Sequence, residues 1–153
     1  MKNKTLSYIT VIISILIVAI LGSIFVNLGL EWFTTLSKPN QFVPTWLIPV
    51  MWTVIYIIFA VILCVYISKD LTTKKLFILA AINGILNILW CLVFFTFNLT
   101  FLGQVLIVLN LIFAFWFVEE ILNQGQRYAY ITVIYPVWVS VATCLNLALW
   151  ILN

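Results

Sequence analysis

The charged side chains of this sequence fall into clusters, and the stretches between the clusters are too long and too apolar to be anything but membrane spans. Lys2 and Lys4, then Glu31 and Lys38, then Lys69, Asp70, Lys74 and Lys75, and finally Glu119, Glu120 and Arg127 account for every charge. Between them lie about 26 uncharged residues from Thr5 to Leu30, about 26 from Val43 to Ser68, about 43 from Leu76 to Val118 and about 26 from Tyr128 to Asn153. Crossing roughly 30 Å of hydrocarbon at 1.5 Å per residue takes about 20 apolar residues. Each shorter run therefore makes one tilted helix. The long run must hold two, broken near Phe97 to Gly103, where Asn98, Thr100 and Gly103 form its turn-type cluster. A composition of 66% hydrophobic and 7% charged residues agrees, lying far outside that of soluble domains.

The expected fold is an all-α integral membrane protein, a five-transmembrane-helix bundle with helices at about 6–28, 45–68, 76–97, 101–122 and 128–151. Short connections leave no room for a soluble unit, so residues 1–153 form a single domain. Lys2 and Lys4 precede the first run as they would in a signal peptide. That run, however, exceeds the roughly 7–15 residues of a signal core and lacks a small-x-small cleavage site, so it reads as an anchor. Lys2, Lys4, Lys69, Lys74, Lys75 and Arg127 fall on one side of the membrane and only Lys38 on the other. This asymmetry puts the N-terminus in the cytoplasm, with the first loop and the C-terminus outside. It also explains the basic loops as topology determinants, so no nucleic-acid partner is expected.

Several chemistries drop out. There is no histidine, and Cys64, Cys91 and Cys144 sit inside spans without metal-ligand spacing. No ionisable acid or base stands mid-span, which argues against proton relays and ion pathways, and the helices do not divide into two equivalent halves. Glu119 and Glu120 read as a solvated cytoplasmic edge. No resident cofactor and no metal are expected.

What remains is aromatic and amide. From Trp32 to Tyr56 the chain holds Trp32, Trp46, Trp52, Pro39, Pro44 and Pro49. Each X-Pro step disfavours helix before it, so Ser37 to Thr45 should be extended or turned and the loop at about 29–44 should be shaped and stiff. Trp46 suits an interfacial belt. Trp52, Tyr56 and Phe59 then recur at i, i+4 and i+7. Asn83, Asn87, Trp90 and Phe94 share a face of the third helix, Gln104 and Asn110 are the interior polar groups of the fourth, and Trp138, Ala142, Leu145 and Asn146 share a face of the fifth, which Pro136 should kink. Amides in hydrocarbon need partners, so these faces turn inward. Together they suit a flat, apolar ligand with a few hydrogen-bonding groups.

Three blocks in order carry a resemblance over nearly the whole chain: Trp32-Phe33-x-x-Leu36-x-Lys38-Pro39 running to Pro44-x-Trp46 and Trp52-x-x-x-Tyr56; Leu86-Asn87-x-x-Trp90 with Phe94-Phe95; and Trp138-x-x-x-Ala142-Thr143-x-Leu145-Asn146. The chain resembles the tryptophan-rich sensory protein, or translocator protein, family (TspO/MBR, the peripheral-type benzodiazepine receptors). The resemblance implies a five-helix bundle, often a homodimer, that binds porphyrin-type tetrapyrroles and other flat hydrophobic ligands, isoquinoline and benzodiazepine drugs among them. It implies that the first loop caps the pocket and that Trp52, Tyr56, Asn87, Trp90, Trp138 and Ala142 line it; Trp32, Phe33, Pro44, Phe94 and Asn146, on the same loop and helix faces, complete the expected ligand-binding set. Trp52 and Trp138 match the tryptophans of light-dependent porphyrin breakdown in bacterial members, and would be the catalytic pair if that reaction occurs here. The family's double proline reads Val43-Pro44, with Gln41 before Phe42. Its acidic position in the fourth helix holds Val108, and Leu147 and Ile151 stand where the animal sterol motif needs a tyrosine and a base. Sterol recognition through that motif is unsupported.

The implied function is thus a membrane-embedded binding or sensory protein for porphyrin-type tetrapyrroles and other flat hydrophobic ligands, with or without a transport role; the abundance of Ile, Asn and Lys over Arg points to an AT-rich bacterial source and hence a cytoplasmic membrane. A light-dependent porphyrin-degrading enzyme is the first alternative and a scaffold or transporter subunit without a pocket the second.

Overall fold

The computed structural model describes residues 3–40 and 43–153; Lys2, Gln41 and Phe42 lie outside it. Among the described residues the chain is helical, without strands, in the order α1 (Lys4–Leu28), α2 (Leu30–Thr35), α3 (Leu47–Ser68), α4 (Lys74–Cys91), a π-helical turn (Leu92–Thr96), α5 (Thr100–Leu122), a 3₁₀ segment (Arg127–Val133) and α6 (Ile134–Leu152). Five of these stretches are long and apolar enough to cross a membrane.

The boundaries follow from local chemistry. Asn3 caps α1 by accepting from the Leu6 amide at 3.4 Å, and Thr73 caps α4 by accepting from the Leu76 amide at 3.0 Å. After α3, Asp70 takes a left-handed φ of 56°, and after α4, Asn98 does so at 60°, the conformation in which a short polar residue ends a helix. The break between the third and fourth spans is tighter than the expected Phe97 to Gly103. The π-helical turn carries the chain to Thr96, the Phe97 amide bonds the Leu92 carbonyl at 3.0 Å, and α5 resumes at Thr100.

Pro136 stands in the first turn of α6, and the irregularity of the fifth span is the 3₁₀ segment that runs directly into it. One expectation changes. Glu120 is not a solvated carboxylate. It is buried, accepts from Thr73 Oγ1 at 2.7 Å and pairs with Lys75 Nζ at 3.0 Å, whereas Glu119 is exposed.

The spans form a ring in the order α3, α1, α4, α5, α6, with the sparsest seam between α6 and α3. Buried polar groups fasten one side of it. The Tyr135 hydroxyl of α6 lies 3.0 Å from Oδ1 of both Asn83 on α4 and Asn110 on α5, and the Asn83 amide donates to the Leu79 and Phe113 carbonyls. Phe59 of α3 stacks on Phe117 of α5 with ring centroids 4.4 Å apart and meets Tyr135 edge-on at 5.0 Å. In lipid, where no hydrophobic force drives helices together, such bonds and close contacts set the arrangement.

Candidate functional site

Beneath the loop after α1 lies a small cavity of about 60 Å³, walled by α3, α4 and α6. Ile48 and Trp52 come from α3, Trp90, Phe94 and Phe95 from α4 and its π-helical turn, and Trp138, Ala142, Leu145, Asn146 and Leu149 from α6. Phe33, Lys38 and Pro39 close it from above. The α6 set recurs at helical spacing, so one face of that helix forms a continuous wall.

The aromatic rings are packed against one another. Trp90 lies 6.0 Å from Trp52 and stacks on Phe94 at 5.9 Å, and Trp52 lies 6.3 Å from Tyr56. Trp90 is fixed by its indole N–H, which donates to Asn146 Oδ1 at 3.2 Å, while Asn146 Nδ2 donates to Gln104 Oε1 at 2.9 Å. One side chain on α6 thereby ties α4 to α5. Trp138 is the exception. It is 5% exposed, yet among the described residues its Nε1 is the buried side-chain polar atom without a hydrogen-bond partner.

The lid is more ordered than a loop. Leu30 to Thr35 form α2, which puts Phe33 against Phe95 at 5.4 Å and Trp32 against Phe94 at 5.6 Å. Gly29 allows this: a methyl group there would overlap the Phe95 backbone. Beyond α2 the described residues from Leu36 to Asn40 and Val43 to Trp46 are non-helical, as the prolines require. Lys38 Nζ sits 4.9 Å from the Phe33 ring centroid, and Asn153 clasps the lid, its Nδ2 donating to the Ser37 carbonyl at 3.0 Å and its Oδ1 accepting from the Ser37 amide at 2.9 Å.

Of the expected binding residues, the cavity brings together Phe33, Trp52, Trp90, Phe94, Trp138, Ala142 and Asn146. Trp32 stands behind Phe94, and Pro44 is exposed at the approach to α3. Tyr56 and Asn87, bonded to each other at 3.1 Å, lie a turn deeper and line a separate cavity of about 640 Å³ between α1, α3 and α4. Trp52 borders both cavities. Sequence reasoning left Lys38, Pro39, Ile48, Phe95, Leu145 and Leu149 out of the binding set. Ile48 and Leu149 stand four residues before Trp52 and seven after Ala142, a helical spacing that marks them as neighbours of the aromatic wall.

A model of the TspO/MBR family matches residues 10–151. Protein CrtK of Rhodobacter capsulatus is 32% identical over 132 residues, covering 80% of this chain and 78% of that protein. Tryptophan-rich protein TspO of Chlorobaculum tepidum is 31% identical over 142 residues, 90% of each chain. With the matched residues spanning all five helices and the aromatic cavity between them, the chain belongs to the TspO/MBR family.

Proposed function

We propose that this membrane sensory protein binds a flat tetrapyrrole of the porphyrin type in the cavity beneath the lid, taking it from the lipid or the outer side. The observation that carries this reading is the unpartnered Trp138 Nε1 in a wall made mostly of apolar and aromatic side chains. A buried donor without an acceptor costs about 1–3 kcal/mol, and a ligand acceptor removes that cost. Indole and phenyl faces suit a planar macrocycle, and Lys38 at the lid supplies a cation for acidic substituents of such a ring.

A cavity of about 60 Å³ is far below the roughly 300–1,000 Å³ of a small-molecule pocket, so binding requires the lid to rise. Releasing Ser37 from Asn153 and withdrawing Phe33 opens the space. The Lys and Arg asymmetry orients the lid toward the outside of a bacterial cytoplasmic membrane. Assembly as a homodimer belongs to the same reading, and light scattering of the purified protein tests it.

Protoporphyrin IX added to the purified protein should quench tryptophan emission saturably, and the Trp52→Phe, Trp138→Phe double variant should weaken the quench. Unsaturable quenching identical in the variant refutes the proposal. Because Trp52 and Trp138 border one cavity, a light-dependent breakdown of the bound pigment is the second reading. It requires illumination to bleach the porphyrin band only with intact protein, and either tryptophan variant to abolish the bleaching.

A further inference from the structure

The larger cavity is a wedge with its own chemistry. α1 is held tightly in its second half, where Gly22 lies near Cys91 and Asn87, Val18 meets Gly84, and the Phe25 carbonyl accepts from Thr96 Oγ1 at 3.1 Å. At its start it is held by Lys4, whose Nζ donates to Asp70 Oδ2 at 2.7 Å and to the Ser68 carbonyl at 3.0 Å. Between these fastenings Val11 is buried, and beside it a space of about 640 Å³ remains among α1, α3 and α4. Ser7, Thr10 and Ser14 face it from α1, and Phe77, Ala81 and Gly84 from α4. Leu6 at 61%, Ile17 at 49% and Ile85 at 57% exposure line the space while remaining open, so the wedge communicates sideways with the membrane.

Its dimensions select an occupant. The α1 lining runs from Leu6 to Val18, which at 1.5 Å per residue is about 18 Å, slightly more than half of a roughly 30 Å hydrocarbon layer. That is the reach of one acyl chain from one leaflet. Each lining stripe ends in a lysine one turn nearer the membrane surface: Lys4 precedes Ser7 on α1, and Lys74 precedes Phe77 on α4. Lys4 has Asp70 as partner, whereas Lys74 is exposed and makes no ion pair among the described residues.

We propose that the wedge between α1, α3 and α4 holds one acyl chain of an anionic phospholipid, with the phosphate at its mouth between Lys4 and Lys74. Basic groups at the mouth of a cleft between spans, on the side with the lysine excess, are suited to an anionic headgroup. The lipid fills the space left beside Val11 and Ile15 on the inner face of α1, where Ser7, Thr10 and Ser14 also line the wedge.

The test is native mass spectrometry of the full chain in nonionic detergent, titrated with phosphatidylglycerol and with phosphatidylcholine of the same acyl chains. One retained phosphatidylglycerol per chain is expected, favoured over phosphatidylcholine. Lys74→Gln should reduce that preference about fivefold, the equivalent of the roughly 1 kcal/mol of a lysine near an anionic surface. Ser14→Phe, which fills the wedge from a helix face that tolerates apolar residues, should cut retention of both lipids at least tenfold with helicity unchanged. Ala81→Leu does the same from α4 should Ser14→Phe fail to fold. Absence of a one-to-one adduct, or retention unaltered by either filling variant, overturns the site. Equal retention of the two lipids overturns the headgroup assignment.

Discussion

Trp90 and Trp138 border the same cavity with the same side chain in opposite hydrogen-bonding states, so a matched pair of substitutions isolates what one indole N–H does. Both are buried, at 8% and 5% exposure. Replacing either by Phe removes the same atoms, and the packing lost is about 1.5 kcal/mol at about 0.8 kcal/mol per methylene-sized group. The polar terms differ in sign. Trp90→Phe strips Asn146 Oδ1 of its indole donor, at roughly 0.6–1.7 kcal/mol for an interhelical bond in a membrane. Trp138→Phe removes an unpaired donor and relieves about 1–3 kcal/mol. The transfer terms are alike, and Trp90 in addition packs on the Trp52, Phe94 and Phe95 rings, so Trp90→Phe should be less stable than Trp138→Phe by at least roughly 2–5 kcal/mol. Unfolding in mixed micelles with increasing SDS, followed by far-ultraviolet circular dichroism, measures both. Equal destabilisation, or a larger loss in Trp138→Phe, refutes the claim that the Trp138 N–H is held in reserve. In the ligand titration the ranking should invert: Trp138→Phe loses the hydrogen bond to the guest, about 1 kcal/mol or fivefold in Kd for protoporphyrin IX.

Gly29→Ala should cost about 1–3 kcal/mol in the same unfolding assay, because the added methyl must displace the Phe95 backbone and with it the lid. Asn153→Ala removes both bonds to Ser37 and should speed porphyrin association about fivefold in stopped-flow quenching, at about 1 kcal/mol of net hydrogen bonding; an unchanged rate means the clasp does not gate the cavity. Glu120→Gln loses the Lys75 pair and weakens the Thr73 bond, so it should destabilise by about 1 kcal/mol, while Glu119→Gln stays within about 0.5 kcal/mol of the parent.

The spans were legible because charge is so costly in hydrocarbon that its distribution alone marks where the chain crosses. The inward faces were legible for the same reason: Asn83, Asn110, Gln104 and Asn146 are all buried against other helices. What could not be read was depth. Tyr56 follows Trp52 by one turn on one stripe, and periodicity assigns both to one pocket, but the Trp52 and Trp90 rings meet between them and make two cavities of one face. Helicity of Leu30 to Thr35 was hidden by its six-residue length, too short to display a period. Glu120 differs from its neighbour Glu119 only by the helical turn that points it at Thr73 and Lys75, a tertiary fact with no local signature.

The distribution of buried hydrogen bonds also decides which side of the bundle can open. Two separate clusters, Tyr135 with Asn83 and Asn110 in the middle of the membrane and Trp90 with Asn146 and Gln104 nearer the lid, cross-link α4, α5 and α6. Breaking any of these in hydrocarbon leaves polar groups with no water to replace the partner. α3 is bound by the Tyr56 bond to Asn87 and the Tyr66 bond to the Ile121 carbonyl, the latter at the charged end remote from the lid. α1 has its side-chain ties at its two ends. Near the lid, therefore, the wall formed by α3 is the one that can move without unsatisfying an amide, and it carries Trp52 and borders the sparse seam with α6. Enlargement of the ligand cavity should accordingly displace Trp52 while leaving Trp90 fixed on Asn146. Spin-label distances make the distinction: on ligand binding, a pair across α3 and α6 near the lid should lengthen while a pair across α4 and α6 stays constant, and the converse would place the flexible wall on the hydrogen-bonded side.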